Sequence, residues 1–430
     1  MWKKIAWSSV IIATIFLGGC VDSTRDLEQE VVIEDQTPND SNDNDNSSPT
    51  PPSSNDFSLG AMLVNLADNV FAENYQELAE TTETLASNSG PLSDYCDAIG
   101  TANESAAFTA AKSGWKDAMD AMQATEMHVI GPSAANEGAR RHRILSYSLE
   151  PLSTCGTDEI ATNYLVENST FDITNRSVNQ RGLGGIEYLI FNSDLEHTCP
   201  PQVPGTSGWN NLSESSRKIA RCEAAIALAE DTALAAEQIQ TLWLSDYRDE
   251  FTSESNAGNN LQTLTDALFY LDTGVKDQKL GIPLGINDAC SSVICPNNVE
   301  SRYSNYSADN LSNNLASFLN IFRGGDGLGF DDLITDEGFS EVSQEFISNI
   351  NSVLTALSEI SIPVYEQVLS IDTTAEEAQC ANAFANPDTP DDLSACTVYG
   401  LIKRVTDALK IDFVTIVNVN LPDGAQADND

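Results

Sequence analysis

The chain has 430 residues, with 65 acidic against 21 basic side chains, a formal net charge of −44 and only three histidines. Such a charge excludes the electrostatic footprint of a nucleic-acid-binding protein and would be repelled by an anionic lipid surface, whereas cations and basic partners would be attracted. An apolar fraction of 41% supplies a sizeable core and rules out a wholly disordered chain.

Lys3 and Lys4 precede an apolar stretch from Ile5 to Gly19. Its length suits the h-region of a signal peptide over 1–19 and falls short of a membrane span. Leu17-Gly18-Gly19-Cys20 resembles a bacterial lipobox, which implies cleavage before Cys20 and lipid attachment there. Several acyl chains would then anchor the protein to the membrane. By the same likeness, Val21 in place of Asp after the cysteine favours the outer membrane. Residues 20–57 are rich in Asp, Asn, Ser, Thr and Pro; they bury too little apolar surface to fold and read as a tether.

From Ser58 onward the hydrophobic period is helical. Leu59, Met62, Leu63, Leu66, Val70, Leu78 and Leu85 fall on one face. Thr101 and Glu104 have capping-box spacing ahead of a helix with Phe108, Ala111, Trp115, Ala118 and Met122 on one stripe, ended by Gly131-Pro132. A long helix is expected over 213–249, with Ile219, Cys222, Ile226 and Ala229 inward. Others are expected near 262–271, 308–322, 339–357 and 398–409. Strand patterns are scarce, so the fold class is all-α, built from helical bundles. The Pro/Gly-rich stretch 196–213 marks a boundary between a first bundle over 58–200 and a second over 201–422, followed by a flexible tail over 423–430. Gly324 to Gly329 has neither a strand before it nor Gly-Lys-Ser/Thr after it, and reads as a turn.

Cys96, Cys155, Cys199, Cys222, Cys290, Cys295, Cys380 and Cys396 remain once Cys20 is assigned to lipid. An even set in an oxidising compartment suggests disulfides. Loop-closure entropy favours sequence neighbours, so the expected pairs are Cys290–Cys295, Cys380–Cys396, Cys199–Cys222 and Cys96–Cys155. No pair has the C-x-x-C spacing of a zinc site.

Three segments together resemble the imelysin-like family of bacterial exported proteins. They are Arg181 to Phe191, Lys279 to Gly285 with Val299 to Ser304, and Gly327 to Leu333. The resemblance implies two helical-bundle domains with a cleft between them and a role in iron uptake; the family was once classed with metallopeptidases. Its central motif, Gly-x-His-x-x-Glu, falls on Gly182 to Glu187. Glu187 is present, but Gly184 stands where the family carries His. A His and a Glu three residues apart would share one helical face and a cation; glycine donates nothing. The pair Gly184-Gly185 suggests close backbone approach.

Candidate metal ligands are therefore Glu187 and Glu126, with Gly182, Gly184, Arg143, Glu300, Ser301 and Ser304 around the implied cleft. Glu126 would line the cleft or pair with Arg140, Arg141 or Arg143. Those arginines form either an anion site or internal neutralisation of an acidic chain. The leading expectation is a lipid-anchored, non-enzymatic binding protein of the envelope whose ligand is a metal ion, iron or another transition metal, or a small ligand. The alternatives are a metallopeptidase using Glu187 and a structural lipoprotein that binds another envelope protein.

Overall fold

In the computed structural model, residues 57–165, 171–371, 380, 385–386, 389–422 and 425 are described. The expected signal peptide, the lipid site Cys20, the tether up to residue 56 and all but residue 425 of the tail lie outside them. The described residues contain helices and no strand. None of these helices is long and apolar enough to cross a membrane.

The expected apolar face at the start is realised in α1 (Leu59–Leu66) and α2 (Ala72–Ala86), joined by a π-turn at Ala67–Phe71. Ser58 caps α1, accepting from Ala61 N at 3.3 Å. Met62, Leu63, Leu66, Val70, Leu78 and Leu85 are buried. Pro91 opens α3 (Pro91–Ala98), where a missing N–H costs nothing.

Next comes α4 (Glu104–Thr125), which differs from expectation at both ends. Glu104 begins the helix and accepts from Gly100 N at 2.8 Å, while Thr101 Oγ1 accepts from Asn103 N at 3.2 Å. The hydroxyl and the carboxylate thus serve free N–H groups ahead of the helix, not as a reciprocal box. Gly131-Pro132 opens α5 (Gly131–Ile144) and does not close α4. Within α5, Asn136, Glu137 and Gly138 are left-handed, so it is two helical pieces across a kink.

The middle of the chain forms α6 (Thr154–Asn163), α7 (Gly182–Phe191) and α8 (Glu214–Leu242). Ser213 caps α8, which runs through a π-turn into α9 (Arg248–Phe251), close to the expected span. Ile219, expected inward, is 39% exposed, whereas Cys222 and Ala229 are buried. Then follow α10 (Ala257–Leu268), a π-helical segment at Leu271–Gly281, α11 (Ser307–Arg323), α12 (Phe330–Asp336) and α13 (Ser340–Ser358). The chain closes with α14 (Val364–Ser370), α15 (Ser394–Ala408) and α16 (Val414–Val417). The glycine run after α11 is the expected turn: Asn65 Nδ2 donates to the carbonyls of Gly324 and Leu328 at 2.8 and 2.9 Å.

Helix α8 packs against α2, α3, α5 and α7, and α11 packs against α4 and α13. Because α4 also touches α2, α3 and α7, it ties the two groups together. The described residues from 57 onward fall in one compact unit.

Two expected disulfides are present, Cys290–Cys295 and Cys380–Cys396. The other two are exchanged: Cys96 pairs with Cys222 and Cys155 with Cys199. Cys96 and Cys222 are 126 residues apart in sequence, yet the packing of α3 on α8 brings their Cα atoms to 5.6 Å. Each doubling of loop length costs only about 0.6 kcal/mol, so helix packing outweighs sequence proximity.

Candidate functional site

The site forms where α4, α7, the π-helical segment and the loop 299–306 before α11 converge. Gly182 opens α7 with a left-handed φ of 66°, and a Cβ there would stand 2.5 Å from the Ile144 carbonyl. That glycine is required by the backbone. Gly185 is also tight, its Cβ position lying 3.0 Å from Leu228 and 3.2 Å from the Gln180 carbonyl. Gly184 differs: a Cβ would meet only Leu152, at 3.9 Å. Close approach therefore explains Gly182 and Gly185, not Gly184.

One turn on, Glu187 is 4% exposed. Its Oε1 accepts from Tyr303 N at 2.9 Å, Ser304 N at 2.8 Å and Ser304 Oγ at 2.9 Å. The loop aims these donors because Ser301 and Asn305 adopt left-handed φ values of 51° and 57°, a strained conformation for residues other than glycine. Burial pushes the Glu187 carboxyl up to about 7 against the pull of these donors, and Glu300 adds to the rise. Those bonds all end on Oε1. None reaches Oε2, and Glu187 lines a cavity of about 40 Å³ together with Gly184, Tyr147, Glu300 and Ser301, a volume that holds water-sized groups.

Beside the cavity lies a buried ion triad. Lys279 Nζ is 2.5 Å from Glu126 Oε2 and 3.0 Å from Glu300 Oε2. It also donates to Gln123 Oε1 at 2.5 Å and Asn314 Oδ1 at 2.8 Å. Desolvation works against the ammonium, but Glu126 and Glu300 outweigh it and hold Lys279 above its ordinary value. Burial raises Glu300 despite Lys279. The carboxylates are further satisfied by Tyr270 Oη on Glu126 Oε1 at 3.1 Å, Gln123 Nε2 on Glu300 Oε1 at 3.1 Å and Asn310 Nδ2 on Glu300 Oε2 at 2.9 Å. Asn310 Oδ1 is buried without a partner, an acceptor available to a bound group.

Among the described residues, no group of three or more His, Cys, Asp or Glu side chains comes together as a metal site. Lys279 occupies the position where Glu126 and Glu300 would share a cation. Glu126 is engaged by Lys279 and Tyr270, Glu187 by the 303–304 backbone, so these two expected ligands do not form one pair. The donor set does not fit a tightly held resident metal.

Glu300, Ser301, Ser304 and Gly184 lie around Glu187. Arg143 does not; with Arg181 it clamps the buried Asp231, at 2.7 and 3.0 Å. Of the basic cluster, Arg143 is thus neutralised internally, whereas Arg140 donates to the Pro132 carbonyl and Arg141 Nε and Nη1 are buried without a partner. His128 is enclosed by Phe71 and Tyr75, with Asn74 Nδ2 at 3.3 Å from its Nε2. Burial lowers its pKa to about 3 and keeps it neutral. Lys279, Gln123, Asn310 and Asn314 were not singled out by sequence reasoning as site residues. A lysine beside Leu280-Gly281-Ile282 in a lysine-poor chain was the available signal.

The imelysin family pattern matches residues 71–389, and the chain belongs to that family. No curated protein matches it. The chain is similar in fold to an imelysin-like protein from Psychrobacter arcticum 273-4, with a TM-score of 0.61 at 14% identity, covering 85% of this chain and 98% of that one. It is also similar to a protein assigned as an iron-regulated protein A precursor from Parabacteroides distasonis ATCC 8503, with a TM-score of 0.53 at 15% identity, covering 81% and 94%.

Proposed function

We propose that the protein is a lipid-anchored, non-enzymatic binding protein of the bacterial envelope that serves metal acquisition, iron foremost, by capturing and passing on a cation at Glu187. The observation that carries this reading is the division of labour on one carboxylate. Oε1 is locked by three donors, none of which reaches Oε2, and Glu187 lines a small cavity. A single carboxylate oxygen with water completing the shell binds weakly, which suits hand-over better than storage. A solved neighbour described as iron-regulated is in keeping with a link to iron. The acidic chain would concentrate cations around it. A peptidase would need about three protein ligands around a zinc and its water; with Gly184 in the motif and Glu126 and Glu300 joined by Lys279, these residues do not offer them.

Deletion of the gene should slow growth under iron limitation. Wild-type protein should restore it and Glu187→Gln should not. Equal growth of the deleted and intact strains in low iron would overturn the proposal. Cys20→Ser should release the protein from the membrane fraction; retention there would refute the lipid anchor.

A further inference from the structure

Residues 189–191 of α7 line a second cavity, of about 580 Å³, between α3, α4 and α8. Its volume is that of a small-molecule site. The cavity is unusual in this chain for its cations. Lys112, Arg217, Lys218 and Arg221 line it against Asp194, Glu196 and Glu214.

Lys218 is neutralised by Glu104 and Glu214, at 2.9 and 2.8 Å. The other three cations have no carboxylate within ion-pair distance among the described residues. Arg221 is 2% exposed. Its Nη1 and Nη2 donate to the Asp194 and Tyr188 carbonyls at 2.8 and 2.6 Å, and its Nε is buried with no partner. The Nε of Arg217 is likewise buried and unpartnered. Lys112 Nζ lies 4.1 Å from the centre of the Phe108 ring and 5.1 Å from that of Phe191. Arg221 is buried with Asp158 and Asp194 near it but not paired to it, while Lys112 and Arg217 are half-buried; a buried guanidinium without a direct ion pair is costly. In a protein with 65 acidic residues, three cations that line one cavity without a direct ion pair would suit an acid from outside.

The remaining wall is aromatic. Tyr95 and Phe108 pack with ring centroids 4.8 Å apart, and Phe191 adds a third ring. Guanidinium groups suit carboxylates, and aromatic faces suit a flat apolar body. We propose that this cavity is a binding site for a small organic anion: a carboxylate held by Lys112, Arg217 and Arg221, attached to a planar apolar body that lies on the aromatic wall. The acids that line the cavity as well, Asp194 and Glu196, would disfavour multiply charged inorganic anions.

The test is equilibrium titration of the full chain with 2-naphthoate, its neutral amide 2-naphthamide, and inorganic phosphate. The proposal expects saturable binding of 2-naphthoate, at least tenfold tighter than of either comparator. In a Lys112→Gln/Arg217→Gln double variant with an unchanged melting temperature, 2-naphthoate affinity should fall at least tenfold. If that variant fails to fold, Lys112→Gln alone should still weaken 2-naphthoate and leave 2-naphthamide unchanged. Absence of saturable 2-naphthoate binding, equal affinity for acid and amide, or unaltered affinity in a folded variant overturns the proposal.

Discussion

Lys279 Nζ bonds to Glu126 Oε2 at 2.5 Å, and each side chain is 2% exposed. This ammonium also reaches Glu300, so the two buried carboxylates depend on one internal cation. Replacing Lys279 by Met should destabilise the fold by about 3–5 kcal/mol at neutral pH, the cost of stranding buried charge. Part of the loss should return as the pH falls and the orphaned carboxylates take up protons. Urea denaturation at pH 5 and pH 8 measures both. A loss below about 1 kcal/mol would mean that the triad is open to water.

Glu187 makes stability pH-dependent in a fixed direction. Its folded value of about 7 lies above its ordinary value of 4.5, so the folded state holds the proton more tightly. The stabilisation is full below the unfolded value and is lost as the pH rises through about 7. Glu187→Gln keeps an acceptor for the Tyr303 and Ser304 donors and removes the ionisation. Relative to wild type, the variant should gain on the order of 3 kcal/mol between pH 4 and pH 8. A stability difference that does not vary with pH would contradict the assigned ionisation.

Gly184→His tests the altered motif. The open space at Cβ and the helical backbone predict a stability change within about 1 kcal/mol. The added imidazole beside Glu187 should raise transition-metal affinity. Gly182→Ala is the contrast: a left-handed φ and a backbone oxygen at 2.5 Å predict a loss of about 2 kcal/mol or more. Thermal melts and zinc titration read both. If Gly184→His unfolds the protein, or folds with no gain in affinity, the motif cavity is not the cation site.

Removing Cys96–Cys222 should cost more than removing Cys290–Cys295. The first closes a separation of 126 residues and the second one of 5. Chain entropy alone makes the difference about 3 kcal/mol. Denaturation of the two double-serine variants measures it; equal losses would show that the unfolded chain retains the α3–α8 contact.

The fold was largely legible because its helices are amphipathic. The stripe from Met62 to Leu85 and the burial of Trp115 follow from period alone. Glu187 was legible through its motif, and Ser301 and Ser304 through the segment they belong to. Of the ion triad, Glu126 and Glu300 were named from sequence but Lys279 was not, because it lies on a separate helical segment from Gln123 and Asn314, and a buried amide leaves no periodic trace. Arg143 was misplaced for a related reason: its partner Asp231 lies 88 positions away, and charge patterning reads only local neighbours. The exchanged disulfides show the same limit, since tertiary packing set them.

The most direct measurement is calorimetric titration of iron, ferrous under anaerobic conditions and ferric as a soluble complex, into wild-type and Glu187→Gln protein at pH 8. The account predicts weak, saturable binding of one ion to wild type, at least tenfold weaker in Glu187→Gln, which keeps its fold. Identical isotherms for the two proteins, or no saturable binding to wild type, would contradict it.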